Sequence, residues 1–373
     1  MLLGDLGADV IKVERPGTGD DTRTWGPPFA SGESAYYLCC NRNKRSLTVD
    51  LKSPAGIEII LDLARRSDVL LENFSPGTTE ELRLDYPRLA RENPRLVYCS
   101  ITGFGSDGPY RMKTGYDMVV SAIGGLMGIT GEEGGRPVKV GVAITDVCTG
   151  LYAHGAVMAA LMAREKTGTG QHIDLSLLDV QVATLVNVAS SFLVSGNLPK
   201  RWGTAHESIV PYQAFQAADS HIAIAAANDR LWVRLCKVIG RPDLGDDPRF
   251  RTNPLRVQHR ALVIELVGEA LAKKPRDEWV RLLEAEGIPC GPIQTMAEVF
   301  MDPQVVHREM VTEVAHPKAG TVKMVGIPAK YSATPLGIRR PPPLLGEHTE
   351  EVLREVLGYS ADRIASLRRD RVV

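Results

Sequence analysis

The stretch RSLTVDLKSPAGIEIILDLARRSDVLLEN, Arg45 to Asn73, carries two different periodicities in one run. Arg45–Leu51 and Asp68–Asn73 are short, rich in Leu and Val, and read as buried strands. Between them Ser53 stands at an N-cap, Pro54 occupies the first helical position, where its missing N–H costs nothing, and Ile57, Ile60, Leu61 and Ala64 recur at helical spacing. Two buried strands joined through a helix form a crossover unit, the connection that parallel strands require and that is right-handed. The run therefore predicts an α/β fold.

The same grammar extends outward. ADVIKVE (Ala8–Glu14) and RLVYCSITG (Arg95–Gly103) read as further buried strands, so a doubly wound, Rossmann-like parallel sheet is expected. The opening MLLGDLGA reads as the end of a helix that follows an earlier strand, and that first strand is missing from the chain as given. A second unit is expected from a strand at Val138–Ile144, a turn, and a helix to about Arg164. Leu151, His154, Met158, Leu161 and Met162 would form its apolar stripe, and Gly150, Ala153, Ala156, Ala159 and Ala160 would allow close packing. Arg164 and Lys166 near its end suit the helix dipole, and Gly168 and Gly170 stop it. Gln171–Leu175 reads as a strand and Leu177–Val194 as a mostly buried helix.

Beyond the punctuated loop SGNLPKRWGTAHESIVPY the pattern changes. Tyr212–Ala217 and His221–Ala226 read as a hairpin, and Asp229–Ile239, Leu255–Ala272 and Asp277–Glu286 as helices. The expectation is a large α/β domain over 1–195, a smaller α+β domain over 205–325, and a Pro-led helical segment, 326–373, returning to the large domain.

Composition narrows the classes of function. A chain of 373 residues, 44% hydrophobic and 24% charged, suits roughly two globular domains. With 44 basic and 45 acidic residues, nothing marks a nucleic-acid face or a membrane-binding surface. The longest apolar stretch, Leu175–Val194, is interrupted by Asp179, Gln181 and Asn187, so neither a membrane span nor a signal peptide is read. The six scattered cysteines contain no C-x-x-C, and the adjacent pair Cys39–Cys40 is poorly placed to bridge itself; reduced, intracellular thiols are expected, without zinc or disulfides.

In an open parallel sheet, ligands bind outside the carboxyl ends of the strands. The residues there are Arg15–Pro16, Lys52, Asn73–Phe74, Gly103–Gly105 and Asp146, a rim suited to a polyphosphorylated ligand. GFGSDG (Gly103–Gly108) matches G-x-G-x-x-G, but Pro109 follows and no phosphate-facing helix does, so nicotinamide and flavin are not expected. Asp146, in KVGVAITDVCTGLYAHG, admits two readings from its residues alone. As an N-cap it would accept backbone N–H bonds, worth about 1 kcal/mol. As a nucleophile it would need no base, because an ordinary carboxylate pKa of about 3.9 leaves it ionised at neutral pH.

At this point the sequence resembles the class III CoA-transferases, the CaiB/BaiF or formyl-CoA transferase type. LLGDLGADVIKVERPGTGDDTR, NRNKRSLTVDLK, LLENFSPG, SITGFGSDGPY, GYDMVVSAIGGLM, TDVCTG, REKTGTGQHID, EGIPCGPI and PPPLLGEHTEEVL all follow that pattern, and they run the length of the chain. KRWGTAHESIVPYQAF and RPPPLLGEHT resemble the subgroup that passes CoA from succinyl-CoA to glutarate. The resemblance implies that Asp146 is the nucleophile and that Arg15, Leu51, Lys52, Asn73 and Phe74 hold CoA. Substrate or oxyanion contacts are placed on Tyr116, Gly203 and His206. Arg23, Arg111, Lys113 and Arg201 are candidates for the distal charge of a dicarboxylate. It further implies a homodimer of interlocked rings, no resident cofactor or metal, CoA thioester as substrate, and the mitochondrial matrix if eukaryotic, otherwise the cytoplasm. Glu81 and Thr114 depart from the pattern, with Arg83 and Lys113 as alternative phosphate partners. Two other readings of the same likeness are a 2-methylacyl-CoA racemase, which would need a histidine where Tyr116 stands, and an inactive CoA-binding homologue.

Overall fold

A computed structural model describes residues 1–373. Two compact units emerge: Met1–Gly124 with Gly141–Val186 and Phe300–Val373, and Gly125–Val140 with Asn187–Val299. Phe300–Val325, read from sequence as part of the small domain, clusters with the first unit, and Gly125–Val140 with the second.

The first unit is mixed α/β with parallel sheets. Strand β1 (Val10–Glu14) pairs with β2 (Lys44–Thr48); helix α1 (Pro54–Ala64) follows, then β3 (Val69–Glu72), helix α2 (Tyr86–Glu92) and β4 (Val97–Thr102). Helices α3 (Asp117–Ile123) and α4 (Ile144–Thr167) lead to β5 (His172–Ser176) and α5 (Leu177–Ala183). β3, β4 and β5 form a second parallel ladder, hydrogen-bonded separately from β1–β2. α1 forms as its sequence dictates. Pro54 sits at its start, and Ile59, Ile60, Leu61, Leu63 and Ala64 are buried, worth about 1.5–3 kcal/mol for each large side chain. Ser53 occupies the cap position without a side-chain bond. Gly56 is required, since a Cβ there would lie 2.0 Å from the Asp50 carbonyl oxygen.

The C-terminal segment completes this core. Thr48 N donates to Thr349 Oγ1 and Asp50 N to the Val372 carbonyl, while Val352, Leu353, Leu357, Ile364 and Leu367 pack with Leu47, Ile59 and Leu61. The motif NRNKRS, Asn41–Ser46, is a buried clamp. Arg42 grips Asp5 (Nη2 to Oδ2 2.8 Å), with both side chains 3% exposed. Asn43 Nδ2 donates to Asp5 Oδ1, and its Oδ1 receives Arg339 N and Arg340 N. Arg45 pairs with Asp9 and Glu351, and Ser46 donates to Glu14.

Three sequence expectations fail here in whole or in part. No strand forms over Val138–Ile144; α4 begins directly after Ala143. The helix expected over Leu177–Val194 breaks at Thr184–Leu185 and resumes at Val186, whose φ is +43°, as a Val186–Ser195 helix with no buried residue. On α4 the expectation holds only in part: the close-packing residues Ala153 and Ala160 are buried with Thr145, Thr149, Val157 and Arg164, and Leu161 of the apolar stripe packs on the core, but Leu151, Met158 and Met162 are exposed. Small side chains allow the helix to lie close against β4, and those large apolar residues face outward.

The second unit holds an antiparallel sheet of Tyr212–Gln216, His221–Ala225 and Cys290–Pro292. Its core joins Ile222, Ile224, Trp232, Phe250, Val267, Trp279 and Leu283. The helix expected over Leu255–Ala272 is two, Asn253–Gln258 and Arg260–Leu271.

Candidate active site

The site is built around the first turn of α4. Ala143 stands at the cap position without a side-chain bond, so the first amides of the helix need another acceptor. Asp117, at the start of α3, supplies it: Oδ1 accepts Thr145 N at 2.8 Å and Asp146 N at 3.2 Å. The cap therefore comes from a different helix, and Asp146 is not the capping residue. Thr145 pins the turn from inside. Its hydroxyl donates to Gln181 Oε1 at 2.6 Å and lies 2.8 Å from Ser121 Oγ, and all three side chains are buried. Successive helical residues differ by about 100° in direction, so anchoring Thr145 inward turns Asp146 out to the open side.

Asp146 is exposed in the single chain, yet its carboxyl is crowded on one side by protein. Burial of that side, followed by the negative charge of Asp117, raises its pKa above the ordinary carboxylate value. The first amides of α4 are taken by Asp117, and the Asp146 carboxylate goes without them.

Tyr36 also belongs here. Burial, and next the charge of Asp146, raises its phenol pKa. Its centroid lies 4.9 Å from that of Trp25 in a T-shaped pair. The two rings line a cavity of about 390 Å³ together with Gly26, Pro27, Pro28, Ala35 and Cys39. Neither Tyr36, Trp25 nor Asp117 was singled out from sequence; the usable signal was Asp117's place inside GYD, next to Tyr116. Tyr116 precedes α3 with its ring 67% exposed.

The rim residues stand where strand ends put them. Arg15 follows β1 and holds only a solvent-exposed pair with Asp21 at 2.8 Å, an interaction worth about 0–1 kcal/mol and readily exchanged for a phosphate. Leu51 and Lys52 follow β2, with Lys52 exposed, and Asn73 and Phe74 follow β3, both exposed. After β4, Gly103 and Gly115 meet backbone to backbone, since a Cβ on Gly103 would come within 2.8 Å of Gly115 Cα. This closes a loop that carries Arg111 and Lys113, both exposed, and leads directly into Tyr116–Asp117.

Other candidates are occupied. Arg23 is bound to Glu14 through Nη2 at 2.7 Å and Nε at 2.8 Å, and stacks on Tyr37. It is structural. Arg201 donates to the Gly128 and Gly135 carbonyls within the second unit. Gly203 N already donates to the Gly131 carbonyl, so that amide is not free for an oxyanion, and His206 Nδ1 accepts Ser208 N. Both residues belong to the second unit.

Residues 1–349 match CoA-transferase family III. The chain belongs to CoA-transferase family III. A human succinyl-CoA:glutarate CoA-transferase is 48% identical to this family III enzyme over 367 residues, 98% of this chain and 84% of the relative. A succinate–glutarate CoA-transferase of Agrobacterium fabrum is 44% identical, covering 95% and 90%. The crystal structure of a CaiB/BaiF family protein from Brucella suis superposes with a TM-score of 0.85 at 43% identity, covering 95% of this CoA-transferase and 93% of that chain.

Proposed function

We propose that this CoA-transferase moves CoA from succinyl-CoA to glutarate through Asp146. The observation that carries the reading is an acid at the open side of a helix start whose stabilising amides are given to a second acid, Asp117. Asp146 attacks the thioester carbonyl, the C–S bond breaks, and an aspartyl–succinyl anhydride forms with CoA thiolate. The thiolate then attacks the aspartyl carbonyl, giving an aspartyl-CoA thioester and free succinate. Glutarate attacks that thioester and releases the thiolate, which takes the glutaryl group and restores the carboxylate. Each step exchanges bonds of similar energy, so positioning and exclusion of water are the tasks left to the protein.

In this reading Arg15 and Lys52 meet CoA phosphates, with Leu51, Asn73 and Phe74 along the same rim of a Rossmann-like domain. Arg111 and Lys113 meet the distal carboxylate of the acceptor, since Arg23 and Arg201 are committed elsewhere. The working form is a homodimer of interlocked rings. Its support in the single chain is the apolar surface on α4 (Val147, Leu151, Met162) and after α5 (Leu193, Val194, Leu198), each more than half exposed. The reading is tested by mixing succinyl-CoA with glutarate and separating the thioesters. Glutaryl-CoA and succinate should form in equal amounts; hydrolysis alone would overturn it.

A further inference from the structure

Three helices meet beside Asp146 in a chain of buried polar side chains whose hydrogens can be assigned one by one. α3 turns Asp117 and Ser121, four residues apart, toward the start of α4, and α5 contributes Gln181. Ser121 is 3% exposed, and Thr145 and Gln181 are each 1% exposed. Each hydroxyl has one hydrogen to give. Thr184, just past α5, gives its own to the Gln181 carbonyl at 2.9 Å, so its oxygen is left to accept, and Gln181 Nε2 donates to it at 3.4 Å. That leaves Oε1, the other half of the Gln181 amide, for Thr145, whose hydroxyl donates to it at 2.6 Å. With its hydrogen committed, Thr145 Oγ1 accepts from Ser121 Oγ, 2.8 Å away. The order Ser121, Thr145, Gln181 therefore runs in one direction. Packing holds its far end: a Cβ on Gly124 would lie 2.4 Å from Gln181 Cγ, so a glycine at the end of α3 leaves room for the Gln181 stem.

A hydrogen bond fixes a direction as well as a distance, whereas hydrophobic contact is non-directional. Thr145 is the residue before Asp146, and the amides of both donate to Asp117 Oδ1, so a rotation of Thr145 would carry the carboxylate with it. Gln181, which interrupts the longest apolar stretch of the sequence, finds its use here. We infer that Gln181 is a positioning residue for acyl transfer, acting through the Thr145 hydroxyl to fix the direction in which Asp146 meets its substrate. The inference rests on the reading of Asp146 as the nucleophile. Gln181 is sealed from solvent and acts only through Thr145.

The full chain is compared with Gln181→Met, Thr145→Val, Thr145→Ser and the pair Gln181→Met with Thr145→Val. Each is measured for transfer from succinyl-CoA to glutarate, for thermal melting, and for hydrogen–deuterium exchange of the peptide that contains Thr145 and Asp146. Gln181→Met keeps the side-chain volume and removes the acceptor. Misplacing a reacting group by about 1 Å costs on the order of 10²-fold, so kcat should fall by about that factor while KM for the CoA thioester stays within about threefold of the parent. Thr145→Val should match it, and Thr145→Ser, which keeps the hydroxyl, should stay within about threefold of the parent in kcat. Exchange of the Thr145–Asp146 peptide should quicken about tenfold in Gln181→Met and Thr145→Val, with none in the peptide covering Val97–Thr102.

The pair variant separates direction from stability. Two apolar partners leave no buried hydroxyl without an acceptor, so its melting point should return toward the parent's while kcat stays as low as in Gln181→Met. Recovery of kcat along with the melting point would show that packing alone suffices and overturn the inference. So would full kcat per folded molecule in Gln181→Met or Thr145→Val, a loss that falls on KM instead of kcat, exchange no faster than the parent's, or a Thr145→Ser enzyme as slow as Thr145→Val. Should Gln181→Met not fold, the two Thr145 variants decide by the same readings. A parent that makes no glutaryl-CoA defeats the substrate reading, and exchange then decides by itself whether Gln181 holds the turn.

Discussion

NRNKRS and TDVCTG are equally conspicuous in the sequence, yet the structure gives them opposite environments. In the first, every charged side chain is paired or hydrogen-bonded, and Arg42 and Asp5 are sealed from water. In the second, Thr145 is buried and bonded, but its neighbour Asp146 has lost its helix amides to Asp117 and points to the open side. The motif that holds the fold satisfies its polar groups, whereas the motif proposed to do chemistry leaves one unsatisfied. Partner satisfaction, not the presence of charged residues, separates the two.

Several substitutions would break or sharpen this contrast. The largest effect belongs to Asp146→Asn, which should lower CoA transfer on the order of 10³-fold or more, measured by thioester chromatography. Its stability should move the other way. The raised pKa of Asp146 means that its contribution to folding is fully present only below the ordinary carboxylate range and is lost as pH rises through the folded-state value. The neutral Asn variant should therefore melt at or above the parent at pH 7, and the gap should close in acid. A melting point well below the parent's at pH 7 would place Asp146 among the fold-holding residues.

Arg42→Ala should do the reverse. Leaving Asp5 buried without its partner should cost about 3–5 kcal/mol in urea unfolding, and activity per folded molecule should be kept. Lys52→Ala is smaller: loss of one exposed phosphate partner should raise KM for the CoA thioester about tenfold, about 1.4 kcal/mol, with kcat little changed and the effect shrinking in salt. Smallest is Asp117→Asn. The amide still accepts the Thr145 and Asp146 N–H groups, at a cost of about 1 kcal/mol or less, but its charge is gone. The acid limb of the kcat/KM profile should shift to lower pH, while staying above that of a free carboxylate because burial persists.

The strands and α1 were legible because their residues interact with near neighbours in sequence: Pro54, Ile60 and Leu61 report a local periodicity, and Val97–Thr102 a local β preference. What failed depended on distant partners. The Val138–Ile144 run has the composition of a strand but no neighbouring strand to pair with, so α4 starts beside it instead. On α4 the close packing of Ala153 and Ala160 was legible, but hydrophobicity alone ranked Leu151 and Met162 as core, whereas close approach to β4 leaves those large side chains outside. The strand-end rim was readable from the order of elements. The environment of Asp146 was not, because Asp117 lies 29 positions earlier and meets it only in the fold.

The sequence by itself determined the α/β class, the buried strands and helix α1 of the first hundred residues, the positions at those strand ends and the acid at 146, since each is a property of local spacing or of a quoted motif. Only the tertiary structure decided which acid caps and which stands open, which arginines are spent on the core, and that Ser121, Thr145 and Gln181 meet in one buried chain. Hydrogen-bond satisfaction and desolvation belong to groups brought together across the chain, and no local pattern records them.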